Sequence, residues 1–521
     1  MKTEKGIYLK DGKCRGVKEL IGDISEAIIN IDILIPTIVI ALVLVMAARV
    51  PLDSDLWWHL RAGELTWLRK SPLMVDQFTF TLMGSRWINH SWLSEVILYG
   101  LYQWIGYPGV TLLVATLAAA SIGLLYPQME GSPLARAFLL ILGAPVIALV
   151  WSPRPQMFSL LCFSILSYLL YLYKWRRRDY LWISPLLFIA WSNLHGGYPL
   201  GLMLMGLMVT GEILNYFLGQ SKAETLSSQE ITKLFLWLGL SALVVIINPN
   251  EASMWAVPFR TVSIQGLQDF IVEWKSPNFH EFHEQPFLWL LFTTLGAASL
   301  SRRNLDGTDL VNIVFFAYMS FLARRNFAPF GLVALPVLSR HLTNIKFEFP
   351  ARARCWFQRL EFNTKISKNT SLLINGIMLF LLFAGFVLKV NYVSSRSVVA
   401  LHEQEIFPHN AVKWISENHP QGNIFNSYNW GGYLIWNLPE YPVFIDGRTD
   451  LFGENLLDVY IQIIRGEDRW EEILESYEVN LILIETETTL GKVLKSSDSW
   501  QLVYKDGLAE IYVRTKPKIS S

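Results

Sequence analysis

Hydrophobic residues occupy long, nearly unbroken runs through the first three quarters of the chain, and polar residues collect between those runs. Several runs approach the roughly 20 residues that an α-helix needs to cross a bilayer. The pattern therefore predicts an α-helical polytopic membrane protein. It predicts about eleven transmembrane helices, at roughly 31–50, 109–126, 133–151, 156–173, 180–195, 198–218, 232–248, 286–301, 309–323, 327–340 and 371–391.

One apolar stretch, residues 92–106, is short for a span and contains Glu95. Its apolar residues follow helical spacing, which fits a helix that lies in the membrane interface. If this helix does not cross, the basic segment 1–30 and the cluster at 174–178 fall on one side, which is the cytoplasm under the positive-inside rule. We therefore expect a first outer loop, residues 51–108, that ends in an interfacial helix.

The pattern changes at about residue 392, where shorter apolar segments alternate with polar and turn residues, as in an α/β domain. We predict a soluble, extracytoplasmic domain over 392–521, joined to a membrane domain (31–391) by a linker at 391–399. The expected elements are a helix at 409–419, strand NIFNS, a Gly-Gly turn at 431–432, a strand at 443–446, helices at 454–464 and 468–477, strand NLILIE, a short helix, and a hairpin turned by Asp506 and Gly507.

Composition supports membrane residence. Of the 521 residues, 17% are charged and 52% are hydrophobic, whereas a soluble protein carries about 25% charged residues. The formal net charge of zero argues against a general affinity for nucleic acid. The three cysteines all lie outside the polar C-terminal region, so we expect no disulfide framework or cysteine metal site there.

The segment VPLDSDLWWHLRAGE, residues 50–64, places two aspartates directly beyond the first predicted span. Acidic residues beside a bilayer are costly unless they stay in water or serve a function. Asp53 and Asp55 suit a general base or oxygen ligands for a divalent cation such as Mg²⁺ or Mn²⁺. The structural alternative is that Asp55 caps the following helix. Trp58 and His59 are candidate substrate contacts or, alternatively, an interfacial anchor and a packed histidine.

Three arginines on the predicted outer side oppose the rule that orients the rest of the chain. Arg154 lies in the turn SPRPQ, whereas Arg324 and Arg325 lie between two spans in ARRNFAPF. Guanidinium groups bind phosphate well, so these arginines are candidate contacts for an anionic ligand. The alternative is that the topology is wrong at the spans around Arg324.

Further polar residues fall on the same predicted side and are candidate substrate contacts. His90 and Glu95 lie in RWINHSWLSE, His195 lies in NLHGG, and Glu273 lies in EWKSPNFHEFHE. Each also has an ordinary alternative, either a packed histidine or a carboxylate in water, and the spacing fits no closed zinc site. In the C-terminal domain, FIDGRTDLFG suits either an acceptor site or a tight turn. The candidate acceptor contacts there are Trp430, Asp446, Arg448 and Asp450.

A first span that runs into an acidic outer loop, an in-plane helix at the end of that loop, many further spans and an outer α/β region together resemble the GT-C glycosyltransferases. These polytopic enzymes take sugar from a polyprenyl-phosphate carrier and include protein mannosyltransferases, lipid A aminoarabinose transferases and oligosaccharyltransferases. The segments LDSDLWWHLRAGE, NHSWLSEVILYG, SPRPQMFS, NLHGG and RRNFAPF are similar to bacterial membrane proteins described as glycosyltransferase-like. The resemblance implies a catalytic carboxylate in the first outer loop, where Asp53 and Asp55 match. It also implies outer basic residues that hold the carrier phosphate, a role open to Arg324, Arg325 and Arg154.

The chain lacks the Asp-Glu dipeptide of protein mannosyltransferases and the Trp-Trp-Asp motif of oligosaccharyltransferases, so the resemblance specifies neither the acceptor nor a cation. We expect transfer of a sugar to a glycan, lipid or protein at the outer face of a bacterial plasma membrane. A lipid or polysaccharide transporter is one alternative, and it should show ionisable residues within spans or broken helices in paired halves. The other is a non-catalytic scaffold in envelope polysaccharide assembly.

Overall fold

The computed structural model describes residues 30–220, 225–263, 271–345 and 367–515, so the predicted cytoplasmic segment 1–30 lies almost wholly outside the described residues. An α-helix lies at each of the eleven predicted span positions. Six described helices are long and apolar enough to cross a membrane, and four more are apolar but shorter. The number of crossings stays a prediction. The helices of this part are α1 (Ile31–Ala47), α2 (Leu56–Arg69), α3 (Trp92–Ile105), α4 (Tyr107–Gly123), α5 (Pro133–Ile147), α6 (Gln156–Trp175), α7 (Ile183–Leu194), α8 (Pro199–Phe217), α9 (Ser228–Leu243), α10 (Val257–Ser263), α11 (Gln285–Leu300), α12 (Gly307–Leu322), α13 (Phe327–Leu342) and α14 (Lys368–Val393).

The first outer loop folds into the two helices α2 and α3, which pack against each other. Helix α1 ends at Ala47, and Pro51 disfavours helix in the segment before α2 begins at Leu56. Gly63 lets the two backbones touch, because a Cβ at this position would lie 2.2 Å from the carbonyl oxygen of Glu95. The Glu95 side chain is fully buried at this contact, so it does not face water.

The C-terminal region contains a four-stranded mixed sheet flanked by helices. The strand order is β1-β2-β4-β3, in which β1 is parallel to β2 and the other pairs are antiparallel. The predicted first and last helices, the strands NIFNS and NLILIE, and the closing hairpin are all present. The elements are α15 (Arg396–Ile406), α16 (His409–Asn418), β1 (Asn423–Asn426), α17 (Gly431–Asn437), α18 (Thr449–Ile464), α19 (Trp470–Ser476), β2 (Val479–Glu485), α20 (Thr489–Leu494), β3 (Trp500–Lys505) and β4 (Ala509–Arg514).

Three local predictions in this region are wrong. The glycines at 431–432 begin α17 instead of forming a turn. Residues 443–446 do not form a strand; Val443 alone makes two isolated bridges, one to Ile424 and one to Thr79 of the first outer loop. The predicted linker 391–399 is largely helical, because α14 and α15 extend into it from both sides. In each case the local sequence pattern does not reveal which distant segment the chain packs against.

A buried arginine, Arg448, fixes the C-terminal region to the first outer loop. Its guanidinium nitrogens lie 2.7 Å from a carboxylate oxygen of Asp76 in the loop and 2.6 Å from one of Asp446. The guanidinium also lies 4.7 Å from the centroid of the Trp87 ring. All three charged side chains are fully buried. Charges in such surroundings are tolerated only when they are paired, so Arg448 couples the folding of the two regions.

This burial favours the structural alternative over an acceptor role for three of the four candidate residues. Trp430 is buried, and its indole N–H donates to the carbonyl oxygen of Ile406. Arg448 forms buried ion pairs with Asp446 and with Asp76 of the first loop, so an acceptor does not reach Asp446 or Arg448. Of the four candidate acceptor contacts, Asp450 is the accessible one.

Charged residues inside the helical bundle are also paired. Lys174, near the C-terminal end of α6, is buried and forms ion pairs with Glu212 of α8 and Asp306 before α12. Arg340 of α13 lies 2.7 Å from Asp309 of α12. These pairs tie four helices together at the ends that the predicted topology places in the cytoplasm.

We expect Arg448→Ala to destabilise the protein by about 3–5 kcal/mol, because it leaves Asp76 and Asp446 buried without a cation. Limited proteolysis and thermal unfolding of the detergent-solubilised protein measure the effect, and cleavage between the two regions should accelerate. Arg469→Ala is the matched control, since Arg469 pairs with Glu472 on the exposed surface. Equal stability of the two variants would contradict the structural role of Arg448.

Candidate active site

Two aspartates and one arginine form the centre of the site. Asp53 and Asp55 follow α1, and Arg154 lies in the turn between α5 and α6. Arg154 Nε lies 2.5 Å from Asp53 Oδ1, and Arg154 Nη1 lies 2.9 Å from Asp55 Oδ2. The side chains are 12% exposed for Asp53, 16% for Asp55 and 20% for Arg154, so the ion pairs are largely shielded from water. The structure therefore brings both candidate carboxylates onto one candidate arginine.

Asp55 does not cap the helix that follows it. It immediately precedes α2, yet its side chain makes no capping hydrogen bond. Its backbone N–H instead donates to Asp53 Oδ1 across 2.9 Å, which makes a tight turn between the two aspartates. The capping alternative is therefore wrong for Asp55, and the carboxylate stays available for chemistry.

The turn SPRPQ presents Arg154 rigidly. Pro153 and Pro155 flank the arginine and fix their own backbone φ angles. The Arg154 N–H donates to the carbonyl oxygen of Ser152 across 2.7 Å, which closes the turn. The guanidinium therefore extends from a stiff backbone.

The C-terminal region covers the carboxylate of Asp55. A Cβ on Gly447 would lie 1.9 Å from Asp55 Oδ1, so a larger residue at this position would have to displace the Asp55 carboxylate. Tyr428 lies on the same side, and its hydroxyl is 2.6 Å from Thr449 Oγ1. Burial, with the neighbouring Asp55 carboxylate, raises the pKa of Tyr428. In the Asp-Gly-Arg segment, Arg448 thus holds the C-terminal region on the first outer loop, and Gly447 lies against Asp55.

Glu273 and Arg325 complete the charge cluster. Glu273 Oε1 lies 3.5 Å from Arg154 Nη1. The Arg325 guanidinium lies 4.3 Å from the ring centroid of Trp274, within range of a cation–π interaction. Among the described residues, the Arg325 side chain makes no ion pair or hydrogen bond. It interacts electrostatically with Glu273, which attracts it, and with Arg154, which repels it. Arg325 is therefore the arginine that an anionic ligand reaches without breaking an existing pair.

Arg324 is occupied differently from its neighbour. It forms an ion pair with the fully buried Glu284. Its Nε donates to the carbonyl oxygen of Val272 across 2.6 Å. Arg324 therefore joins the outer loop before α11 to the turn before α13, and it contacts a phosphate only if these bonds break.

A second polar group connects α2 and α3 next to the charge cluster. His59 Nδ1 lies 3.2 Å from Glu95 Oε1, and Asn89 Nδ2 donates to Glu95 Oε2 across 2.7 Å. The Trp58 ring contacts the His59 ring, with centroids 3.5 Å apart and planes inclined by 34°. These side chains are buried, so they shape the floor of the site and do not present an open substrate surface.

His90 and His195 meet on the same side of the molecule, with ring centroids 5.8 Å apart. The N–H groups of Gly196 and Gly197 donate to the Nδ1 atoms of His90 and His195, at 3.2 and 3.1 Å. Each neutral ring therefore carries its proton on Nε2. The His90 Nε2 lies 3.7 Å from Asp450 Oδ2. These groups provide hydrogen-bond donors and an acceptor of the kind that sugar hydroxyls need.

Burial shifts the pKa of several groups in the site. It raises the pKa of Asp55 to about 7; Arg154 opposes this shift, and Asp53 and Glu273 add to it. Burial also raises the pKa of Glu95 to about 8, against the hydrogen bond from Asn89. The pKa of His59 falls well below its usual value through burial and the positive charge of Arg154. At neutral pH the His59–Glu95 pair is therefore uncharged, and Asp55 titrates.

The carboxylates do not form a cation site. Within the described part of the chain, no group of three or more His, Cys, Asp or Glu residues is arranged to share a metal ion. The Arg154 guanidinium already contacts the carboxylate oxygens of Asp53 and Asp55 that would have to bind Mg²⁺ or Mn²⁺. The residues present therefore do not fit the divalent cation that the sequence allowed.

The sequence did not identify several residues that shape the site. Gly447, Tyr428 and Trp274 carry no local signal, because their importance comes from residues far away in the chain. The burial of Glu95 against His59 was also not predicted. The position of Glu95 one helical turn into an amphipathic helix was the only hint.

No protein-family model matches the chain, and no curated protein matches it. Solved structures do resemble it. The oligosaccharyltransferase of Archaeoglobus fulgidus in its apo form has a TM-score of 0.51 at 12% identity, covering 86% of this chain and 69% of that one. The same enzyme tethered to an acceptor peptide with an NVT sequon has a TM-score of 0.50 at 12% identity, covering 86% and 68%. ArnT from Cupriavidus metallidurans bound to undecaprenyl phosphate has a TM-score of 0.48 at 12% identity, covering 91% and 97%.

At this identity the similarity to the oligosaccharyltransferase establishes the fold alone. That enzyme belongs to the GT-C group, which the arrangement of spans and loops in the sequence resembles. The predicted resemblance is therefore confirmed at the level of architecture. The chain has a GT-C-like membrane fold.

Proposed function

We propose that the chain is a membrane glycosyltransferase that moves a sugar from a polyprenyl-phosphate carrier to an extracytoplasmic glycan, lipid or protein. The observation that carries the proposal is the carboxylate of Asp55, which does not cap a helix and is held by Arg154. Arg325, which makes no ion pair within the described residues, lies in the same charge cluster. In glycosyl transfer the acceptor hydroxyl loses a proton, which a carboxylate can accept. The leaving phosphate gains negative charge, which a guanidinium without an ion-pair partner among the described residues can stabilise. The GT-C-like fold supports the same reaction class.

Asp55 is the proposed base. The acceptor hydroxyl oxygen attacks the anomeric carbon, its proton passes to Asp55, and the carbon–oxygen bond to the carrier phosphate breaks. A pKa of about 7 suits this step, because the carboxylate is ionised at working pH and still basic enough to accept the proton. Asp53 already accepts from Arg154 and from the Asp55 backbone, so it positions these groups.

Arg325 is the proposed contact for the leaving phosphate. A guanidinium forms charge-assisted hydrogen bonds to phosphate oxygens and offsets the charge that develops on them. Trp274 supports the side chain from one face, which leaves its N–H edge for the ligand. His90, His195 and Asp450 are proposed contacts for hydroxyl groups of the sugar or acceptor.

The alternative functions lack comparable support. A transport pathway needs ionisable groups that are free to bind and release cargo. The described charges within the bundle, such as Lys174 and Arg340, are instead buried in ion pairs. A scaffold has no use for a buried carboxylate, whereas Asp55 is buried and its pKa is raised as a result. We propose that the site lies at the outer face of a bacterial plasma membrane; the charge distribution of the loops supports the outward orientation.

We expect Asp55→Asn to lower product formation by roughly 10²–10⁴-fold, because the proton has no acceptor. Glycan and glycolipid profiling of membranes from cells that express each variant measures the product. Asp468→Asn is the control, since Asp468 lies on the exposed surface of the C-terminal region. Wild-type product from a correctly inserted Asp55→Asn variant would refute the assignment of the base.

The rate should depend on the ionisation of Asp55. Because burial raises the pKa of Asp55 to about 7 and the base acts as its carboxylate, kcat/KM should rise with pH up to about 7 and then level. Glu273→Gln removes a charge that raises this pKa, so the rise should move to lower pH. A pH profile that stays flat through this range, or that moves upward in Glu273→Gln, would contradict the electrostatic account.

We expect Arg325→Met to weaken binding of a polyprenyl phosphate by roughly 10–100-fold, the effect of losing one charge-assisted hydrogen bond. Binding to the purified protein in lipid nanodiscs gives the measurement. Arg302→Ala removes an exposed arginine from the loop between α11 and α12 and serves as the control. If both variants bind the lipid as the wild type does, the phosphate lies elsewhere.

A further inference from the structure

We propose that Arg154 is the built-in cation of this site and takes the place of a divalent metal ion between the two aspartates. The reaction then needs neither Mg²⁺ nor Mn²⁺. The role of Arg154 in catalysis rests on the proposed function, whereas its occupation of the cation position does not.

The guanidinium uses its nitrogen atoms as a metal ion uses its coordination positions. Its Nε contacts Asp53 Oδ1 at 2.5 Å, and its Nη1 contacts Asp55 Oδ2 at 2.9 Å. The same Nη1 lies 3.5 Å from Glu273 Oε1, and Nη2 lies 3.5 Å from Ser54 Oγ. One guanidinium thus contacts three carboxylates and a hydroxyl, the kinds of oxygen group that Mg²⁺ and Mn²⁺ prefer, although in their arrangement around Arg154 the described carboxylates do not form a shared metal site.

The charge balance of the cluster favours a single positive charge at this position. Asp53, Asp55 and Glu273 surround Arg154, and Arg325 adds a second positive charge nearby. A divalent ion beside two guanidinium groups would meet repulsion and find its ligand oxygens already engaged. The guanidinium stays protonated at any working pH and cannot dissociate from the chain.

The backbone restricts the directions in which the Arg154 side chain can point. Arg154 lies between two prolines in a closed turn, so its side chain starts from a fixed direction. Arg154 also keeps Asp53 and Asp55 in one orientation before any substrate arrives. In a metal-dependent site, that orientation exists only while the ion is bound.

Binding of Mn²⁺ to the purified full-length protein in lipid nanodiscs tests the proposal. Metal-stripped protein is titrated and free Mn²⁺ is counted by electron paramagnetic resonance. Binding at the site is the difference between each protein and the same protein carrying Asp53→Asn. We expect no bound ion in the wild type and one Mn²⁺ per chain in Arg154→Ala, because that change frees the carboxylates.

Arg154→Gln provides a second variant that keeps much of the side-chain volume and also removes the charge. Arg324→Ala is the matched control, since Arg324 neutralises the single carboxylate of Glu284, and this variant should gain no ion. Stoichiometric Mn²⁺ in the wild type that Asp53→Asn abolishes would overturn the proposal. It would also be overturned if folded Arg154→Ala and Arg154→Gln, judged by their elution and melting, both bind no ion.

These outcomes do not depend on transferase activity, so a failed activity assay leaves them interpretable. Activity adds a separate result once a product is identified. Membranes treated with EDTA should then retain full transfer, whereas loss of transfer on chelation and recovery with Mn²⁺ would contradict a metal-independent site.

Discussion

The contact of Arg154 with Asp53 and Asp55 is the interaction on which the rest of the site depends. It joins residues about one hundred positions apart in the chain: Asp53 and Asp55 follow α1, and Arg154 lies in the turn before α6. Without the guanidinium, three carboxylates would lie close together in a poorly hydrated space and would repel one another. With it, they are held in a fixed geometry in which Asp55 keeps a pKa of about 7. The reactivity of the site therefore follows from this balance of charges.

A second buried arginine decides what covers that centre. Arg448 fixes the C-terminal region to Asp76 of the first outer loop, and the adjacent Gly447 then lies against the Asp55 carboxylate. The membrane part and the C-terminal region thus build the site jointly. The C-terminal region contributes shape and burial, which raise the pKa of Asp55, the proposed base, while Asp53, Asp55, Arg154, Glu273 and Arg325 come from the membrane part. A change in how the two regions pack should therefore alter the pKa of Asp55 without any change to Asp55 itself.

Much of this architecture follows from simple sequence features, and the limits are instructive. The hydrophobic runs located the helices, since burial in lipid or in the bundle requires long apolar segments. Asp53, Asp55 and Arg154 stood out because charge beside a membrane is costly unless it is used. The sequence could not distinguish Arg324 from Arg325, because the difference lies in a partner, Glu284, forty residues away. It also could not show that Asp446 and Arg448 are structural, since a turn motif looks the same when buried and when exposed.

We propose that Asp55 and Arg325 border one substrate site at the outer end of the bundle. A cryo-electron microscopy structure of the protein in lipid nanodiscs with a bound polyprenyl phosphate would show whether they do. We expect the phosphate within hydrogen-bonding distance of the Arg325 guanidinium, about 3 Å, with Asp55 facing the same cavity. A phosphate bound at the Lys174 end of the bundle, or one separated from Asp55 by closed protein, would contradict the account.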